Sequence, residues 1–219
     1  MKIGSPQKSV ASIRWLKAPT SWSWVEQANA RPMEVLIDHA HCERKAAGFA
    51  TQLMFRYLCE PGLGEVLSPL AREELEHFEK VLTLLKQRGR YLEPLSASQY
   101  GATLSKRVRK EEPSRMLDSF LVAGLIEARS HERMALLAEH SPDSELRSLY
   151  ADLLASEARH FGVYWNLAES RWPRSVLISR LKTLAVEETK ALEGTLEHAS
   201  HVRMHSPGVV EKRCNTAID

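Results

Sequence analysis

From Leu67 to Leu84 the apolar positions fall alternately three and four residues apart, the spacing that lines up one face of an α-helix. The face reads Leu67, Leu70, Glu74, His77, Val81, Leu84, so a carboxylate and an imidazole interrupt a core seam. The same periodicity predicts three further long helices. One runs from about Pro32 to about Glu60, with the seam Leu36, Ala40, Glu43, Ala47, Ala50, Met54, Tyr57. Another covers roughly Ser114 to His140, with Phe120, Gly124, Glu127, His131, Met134, Ala138. The last covers roughly Glu145 to Arg171, with Leu146, Tyr150, Leu153, Glu157, His160, Tyr164, Leu167. The helix carrying Glu74 is expected to start near Ser68 or Pro69 and to stop at Arg88-Gly89. A short helix is expected near SWSWVEQANA, where Ser23 and Glu26 have capping-box spacing. A final amphipathic helix should follow Trp172-Pro173 and reach about His201.

Short loops join the first two long helices and the last two, so each pair should form an antiparallel hairpin. Between them, Gly89 to Pro113 loses periodicity and reads as a long crossover. Two hairpins with one long connection predict an all-α, ferritin-like four-helix bundle with additional N-terminal and C-terminal helices. We expect a single domain over residues 1–204 and a flexible tail over 205–219.

The polar seam residues repeat. Glu43 precedes Glu74 by 31 positions and Glu127 precedes Glu157 by 30, and each hairpin carries one Glu on its first helix and one Glu-x-x-His on its second. Four carboxylates in an apolar bundle would cost several kcal/mol each, or take up protons, unless something neutralises them. Two divalent cations do so, and a mixed set of carboxylates and imidazoles suits iron or manganese better than calcium, magnesium or zinc. Glu43, Glu74, His77, Glu127, Glu157 and His160 are the candidate metal ligands. An isolated Glu-x-x-His is ordinary surface decoration; two on core seams, each paired with a seam Glu, are not. His131, one turn beyond Glu127, reads either as an outer partner of a ligand or as a hydrogen-bonded core histidine. Arg159 reads either as a partner of a ligand carboxylate or as a solvated arginine. His39 and His41 are expected at the surface, and Cys42 in packing only.

Composition and charge narrow the class. The 219 residues carry a formal net charge of only +2, and no apolar stretch approaches a membrane span. The N-terminus lacks a continuous apolar segment of the export type, and Cys42, Cys59 and Cys214 form no CxxC, so a cytoplasmic protein is expected. Neither a Gly-rich dinucleotide fingerprint nor a cysteine quartet is present, so reducing electrons would have to come from a separate reductase. A metal pair of this kind serves O2-dependent hydroxylation as well as iron oxidation or peroxide scavenging, and a helical binding scaffold whose seam charges are merely paired also stays open.

The runs HAHCERKAAGFATQLMFRY, LAREELEHFEKVL, GLIEARSHERMALLA and LLASEARHFGVYW resemble the helices of the tRNA 2-methylthio-N6-isopentenyladenosine hydroxylase (MiaE) family, a ferritin-like diiron group. The similarity spans roughly Trp15 to Ser200. It implies an enzyme, a carboxylate-bridged pair of iron ions held by the six residues above, O2 as co-substrate and an external electron donor. The implied substrate is tRNA with a modified adenosine next to the anticodon, hydroxylated on its isopentenyl group; a ferritin-like iron-oxidising or peroxide-scavenging protein is the alternative. Between Lys86 and Arg115 eight Lys or Arg stand against three acids. That excess nominates Lys106, Arg107, Arg109 and Lys110 for phosphate contacts, with Tyr91 and Tyr100 for base stacking. A solvated basic loop fits the same residues. Ala46, Ala47, Ala50 and Gly124 are either room for a prenyl tail or tight helix contacts.

Overall fold

A computed structural model describes residues 14–96, 98–194 and 201–209. Among them are seven helices and no strand: α1 Trp22–Ala30, α2 Pro32–Arg56, α3 Leu63–Gln87, α4 Gln99–Ser105, α5 Ser114–His140, α6 Ser144–Glu169 and α7 Arg174–Glu193. Helices α2 with α3, and α5 with α6, are the two hairpins of the expected ferritin-like bundle. Their inward faces build an apolar core around Leu67, Phe120, Tyr164 and Trp165 at one end and around Trp24, Leu36, Val81 and Leu153 at the other.

Local chemistry sets the helix ends, in places differently from the pattern reading. Ser21, not Ser23, caps α1, its hydroxyl accepting from the Trp24 N–H. Helix α2 stops at Arg56, and Gly62 then adopts φ 73°, the left-handed conformation that glycine takes without strain. Helix α3 therefore starts at Leu63 and takes Pro69 into its interior. Burial of Leu63 and Leu67 in the core offsets the backbone hydrogen bond that proline forfeits. The crossover contains a helix, α4, that periodicity did not reveal; Ser98 caps it and it buries Tyr100 and Leu104. Helix α7 is described to Glu193, and its expected extension over 195–200 lies outside the described residues.

The C-terminal boundary needs correction. Residues 205–209 were expected in a flexible tail, yet His205 and Ser206 are buried with Val202, Arg203 and Met204. Asp38 accepts from the Met204 N–H at 2.9 Å and from Arg203 Nη1 at 3.3 Å. Trp24 Nε1 and Arg133 Nη1 donate to the carbonyls of Arg203 and Met204 respectively. Residues 210–219, including Cys214, lie outside the described residues.

Arg129 and Arg133, from the IEARSHER run, anchor this periphery. Arg129 donates through Nε and Nη2 to Glu188 of α7 at 2.9 Å and through Nη2 to the Ala18 carbonyl at 3.0 Å. Its Nη1 also meets Glu132, whose carboxylate in turn holds Thr20. Glu132 lies off the seam of Glu127, and periodicity along one helix does not reveal this buried network.

Candidate metal centre

All six seam residues nominated as ligands are buried. Glu74, His77, Glu157 and His160 come together so closely that one ligand atom from each lies within 4.8 Å of the others. His77 Nδ1 is 3.2 Å from Glu157 Oε1 and 3.4 Å from Glu43 Oε2, and His160 Nδ1 is 2.7 Å from Glu74 Oε1. The two imidazoles stack with centroids 5.5 Å apart. The spacing of Glu-x-x-His on α3 and α6 delivers this arrangement because residues three apart project from one helix side.

Electrostatics mark the cluster as incomplete without a cation. Both carboxylate oxygens of Glu74, Glu157 Oε1, His77 Nδ1 and His160 Nδ1 are buried without a hydrogen-bond partner of adequate geometry. Burial, followed by the charges of Glu127, Glu157 and Glu43, pushes the Glu74 carboxyl well above its ordinary range. Burial, then Glu157 and Glu43, does the same to Glu127. Burial also works against charge on Glu43, but His39 overcomes it and holds that carboxyl below the usual range. For His77 burial is outweighed by the nearby Glu157 and Glu43 oxygens, which raise its pKa to about 9. Orphaned donor atoms and mutually repelling carboxylates are what a dimetal site provides for. The residues present fit such a pair.

Outer contacts orient the cluster. His160 Nε2 is 3.0 Å from Glu73 Oε2, so the ring donates outward and leaves Nδ1 facing Glu74. Arg159 Nη2 donates to the same Glu73 oxygen at 3.1 Å, so it reaches a ligand only through Glu73. His39, expected at the surface, is fully buried, with Nε2 2.5 Å from Glu43 Oε1 and its ring stacked on Tyr150. Its four-residue offset from Glu43 was a legible signal. His41 is also buried, against expectation, and bonds to the Glu93 carbonyl at 2.8 Å. His131 stands apart from the cluster, half-buried and edge-on to Phe161 at 5.8 Å.

A cavity of about 330 Å³ runs to Glu43, Glu74 and Glu127 between α2, α4 and α5. Phe49, Val122 and Ile126 give it apolar walls, and Ala46, Gly101, Ala102 and Ala123 keep it open. Tyr100 and His205 close one side, stacked at 4.8 Å with their rings 4° from parallel. Tyr100, nominated for base stacking, is instead buried and donates to Glu188 at 2.9 Å, whereas Tyr91 is exposed. Burial, then Arg133 and Arg129, lowers the His205 pKa to about 3, so the ring is neutral beside Ser130 and Cys42. Cys42 thus does more than pack: its thiol, pushed upward by burial and then by Asp38, lines the cavity. Of the nominated small residues only Ala46 borders the space. Ala47 and Ala50 are core contacts, and a Cβ on Gly124 would lie 2.5 Å from the Trp15 ring.

A family model described as tRNA-(MS[2]IO[6]A)-hydroxylase (MiaE) matches residues 7–206, nearly the whole chain. The chain belongs to the MiaE family. Two curated relatives carry the name tRNA 2-(methylsulfanyl)-N(6)-isopentenyladenosine(37) hydroxylase. The one from Pseudomonas putida is 46% identical over 71% of this chain and 76% of its own length. The one from Salmonella typhimurium is 28% identical over 77% of this chain and 80% of its own. A solved structure described as Protein 43 with aldehyde deformylating oxygenase activity from Synechococcus is 75% identical, with a TM-score of 0.87. It covers 92% of this chain and 100% of its own. No helix among the described residues is long and apolar enough to cross a membrane.

Proposed function

We propose that this MiaE-family enzyme is a diiron monooxygenase that hydroxylates the isopentenyl group of 2-methylthio-N6-isopentenyladenosine in tRNA. The observation that carries this reading is the apolar cavity ending on three of the four seam carboxylates. A branched five-carbon tail is apolar and fits a space of this size, and the curated relatives carry the name of that reaction.

Glu43, Glu74, His77, Glu127, Glu157 and His160 would hold the two irons. When bound, the iron pair supplies the O2 chemistry: one oxygen atom enters the C–H bond and the other leaves as water, with two electrons and two protons from outside. The chain's own residues prepare for this. Glu73 fixes the orientation of His160, and His39 fixes Glu43. The apolar walls exclude water from the reacting methyl group, and neutral His205 and Tyr100 set the width of the cavity without adding charge. The electron donor is a separate reductase, and the site of action is the cytoplasm, where tRNA is modified.

Anaerobic Fe(II) loading, followed by O2, a chemical reductant and prenylated tRNA, tests the reading. The nucleosides should gain the mass of one oxygen atom on the modified adenosine; unaltered nucleosides would sink it. A second reading draws on the 75% identical Synechococcus structure, since the same cavity admits the chain of an aliphatic aldehyde. In a parallel reaction it predicts a hydrocarbon one carbon shorter than the aldehyde, the formyl carbon leaving as formate. A ferritin-like protein would consume Fe(II) and O2 and leave both organic substrates unaltered.

A further inference from the structure

The crossover arginines nominated for phosphate contacts are engaged elsewhere. Arg109 clamps buried Asp118 through its backbone N–H, Nε and Nη2 at 2.8 to 2.9 Å, and Arg180 grips the same carboxylate. Arg107 pairs with Glu187 at 2.8 Å. An arginine already bound to a carboxylate has little charge left for RNA. Of the four, Lys106 and Lys110 remain exposed without an ion pair among the described residues.

A different basic pair adjoins the active cavity. A second hollow of about 460 Å³ is lined by Asp38, His41, Arg44, Lys45, Glu93, Ser96 and Arg203, together with the apolar Leu92, Pro94 and Leu95. It shares Asp38 and Lys45 with the cavity that leads to the seam carboxylates. The acids of this hollow are already neutralised: Asp38 by Arg203 at 3.3 Å, and Glu93 by Arg90 at 2.6 Å. Arg203 is spent on Asp38, the Ser96 carbonyl and the Ser96 hydroxyl. That leaves two uncompensated cations, Arg44 and Lys45, both exposed.

Arg44 is also held in place. Its Nη2 donates to His41 Nδ1 at 3.0 Å, while His41 Nε2 donates to the Glu93 carbonyl at 2.8 Å. A guanidinium steadied by an imidazole nitrogen instead of a carboxylate keeps its full charge and its remaining N–H groups for an incoming anion. Lys45 makes no hydrogen bond or ion pair among the described residues.

We propose that Arg44 and Lys45 form a phosphate-binding site that takes the backbone of the same nucleotide whose prenyl group enters the cavity. The inference rests on the substrate reading above and locates the RNA on that surface. Phosphate contacts of this kind position single-stranded RNA, while the cavity reads the modified base.

Equilibrium binding of 2-methylthio-N6-isopentenyladenosine and of its 5′-monophosphate to the full-length, iron-loaded protein tests it. Wild type should bind the monophosphate about tenfold more tightly than the nucleoside, the scale of a charge-assisted contact. In Arg44→Ala/Lys45→Ala that ratio should fall to about one, and in Lys45→Glu it should fall below one. For a prenylated anticodon-loop oligonucleotide, the dependence of log affinity on log salt should become shallower by about 1.4 in the double variant. Wild type without a preference for the monophosphate, or a double variant that keeps the tenfold ratio, would overturn the phosphate site while leaving the nucleoside reading intact. A wild type that binds neither ligand overturns the substrate reading and the phosphate site with it.

Discussion

His160 is held from behind by Glu73: Nε2 of the ring and Oε2 of the carboxylate are 3.0 Å apart, across two helices of different hairpins. Burial opposes ionisation of Glu73, but His160 and Arg159 keep its carboxyl below the usual range, so it accepts throughout neutral pH. Glu73→Ala should lower iron affinity about 10- to 100-fold, the usual cost of losing such a support. Iron titration followed by absorbance checks this; wild-type affinity would show that His160 needs no orientation.

Removing a ligand should be harsher. Glu74→Ala or His160→Ala is expected to abolish turnover and to bring iron below two per chain while circular dichroism stays largely helical. Glu74 is a carboxylate among carboxylates, so its loss removes repulsion from the apoprotein and should not unfold it. Turnover at the wild-type rate in either variant would mean that the ligand set is different.

The cavity predicts a steric effect separable from the metal. Ala46→Phe should fill space between α2 and α5 and lower kcat/KM for prenylated RNA at least about tenfold, the scale of a misplaced substrate. Iron content should not fall. Unchanged kcat/KM would place the prenyl group in another part of the molecule.

Glu188 and Arg129 are both fully buried, and their bidentate pairing ties α7 to α5. Glu188→Ala leaves a buried guanidinium with Glu132 as its remaining carboxylate and should destabilise the fold by about 3 kcal/mol. Urea unfolding measures it; a loss under about 1 kcal/mol would show that Glu132 alone compensates.

A pH dependence follows from Asp143, which caps α6 and takes Arg88 from the end of α3 at 2.5 and 2.9 Å. Arg88 outweighs the opposing effect of burial, and with the Leu146 and Glu145 N–H groups it lowers the Asp143 pKa to about 2. A carboxylate lowered in the folded state stabilises fully above its unfolded value of about 3.9, and that stability drains away as pH falls towards about 2. Asp143→Asn should therefore destabilise at neutral pH and flatten the acid limb between about pH 4 and pH 2. An identical acid limb in wild type and variant would remove Asp143 from the linkage.

The bundle and its six polar seam residues were legible because both rest on periodicity within a helix. Glu43, Glu74, His77, Glu127, Glu157 and His160 lie on core faces, and their nearly equal offsets in the two hairpins, 31 and 30, reveal them without coordinates. Glu73 was not legible: within α3 it faces away from the seam, and only the approach of α6 gives it a role. His39 was partly legible, four residues from Glu43, but surface and core assignments compete at the edge of a stripe. Helix α4 is too short for its period to register, so Tyr100 passed for a loop residue. The basic excess of the crossover was real in composition, yet composition does not reveal that Asp118, nine residues beyond Arg109, takes its charge.

Asp38 and Met204 are 166 positions apart, and Gln27 and Val209 are 182 apart. A chain emerging from the ribosome can form both hairpins, and bring all six seam residues together, before His205 is free to join them. The cavity wall that His205 supplies is therefore among the last parts to be put in place. Until then the carboxylates face a groove with one side missing, so metal capture can precede substrate selectivity during synthesis.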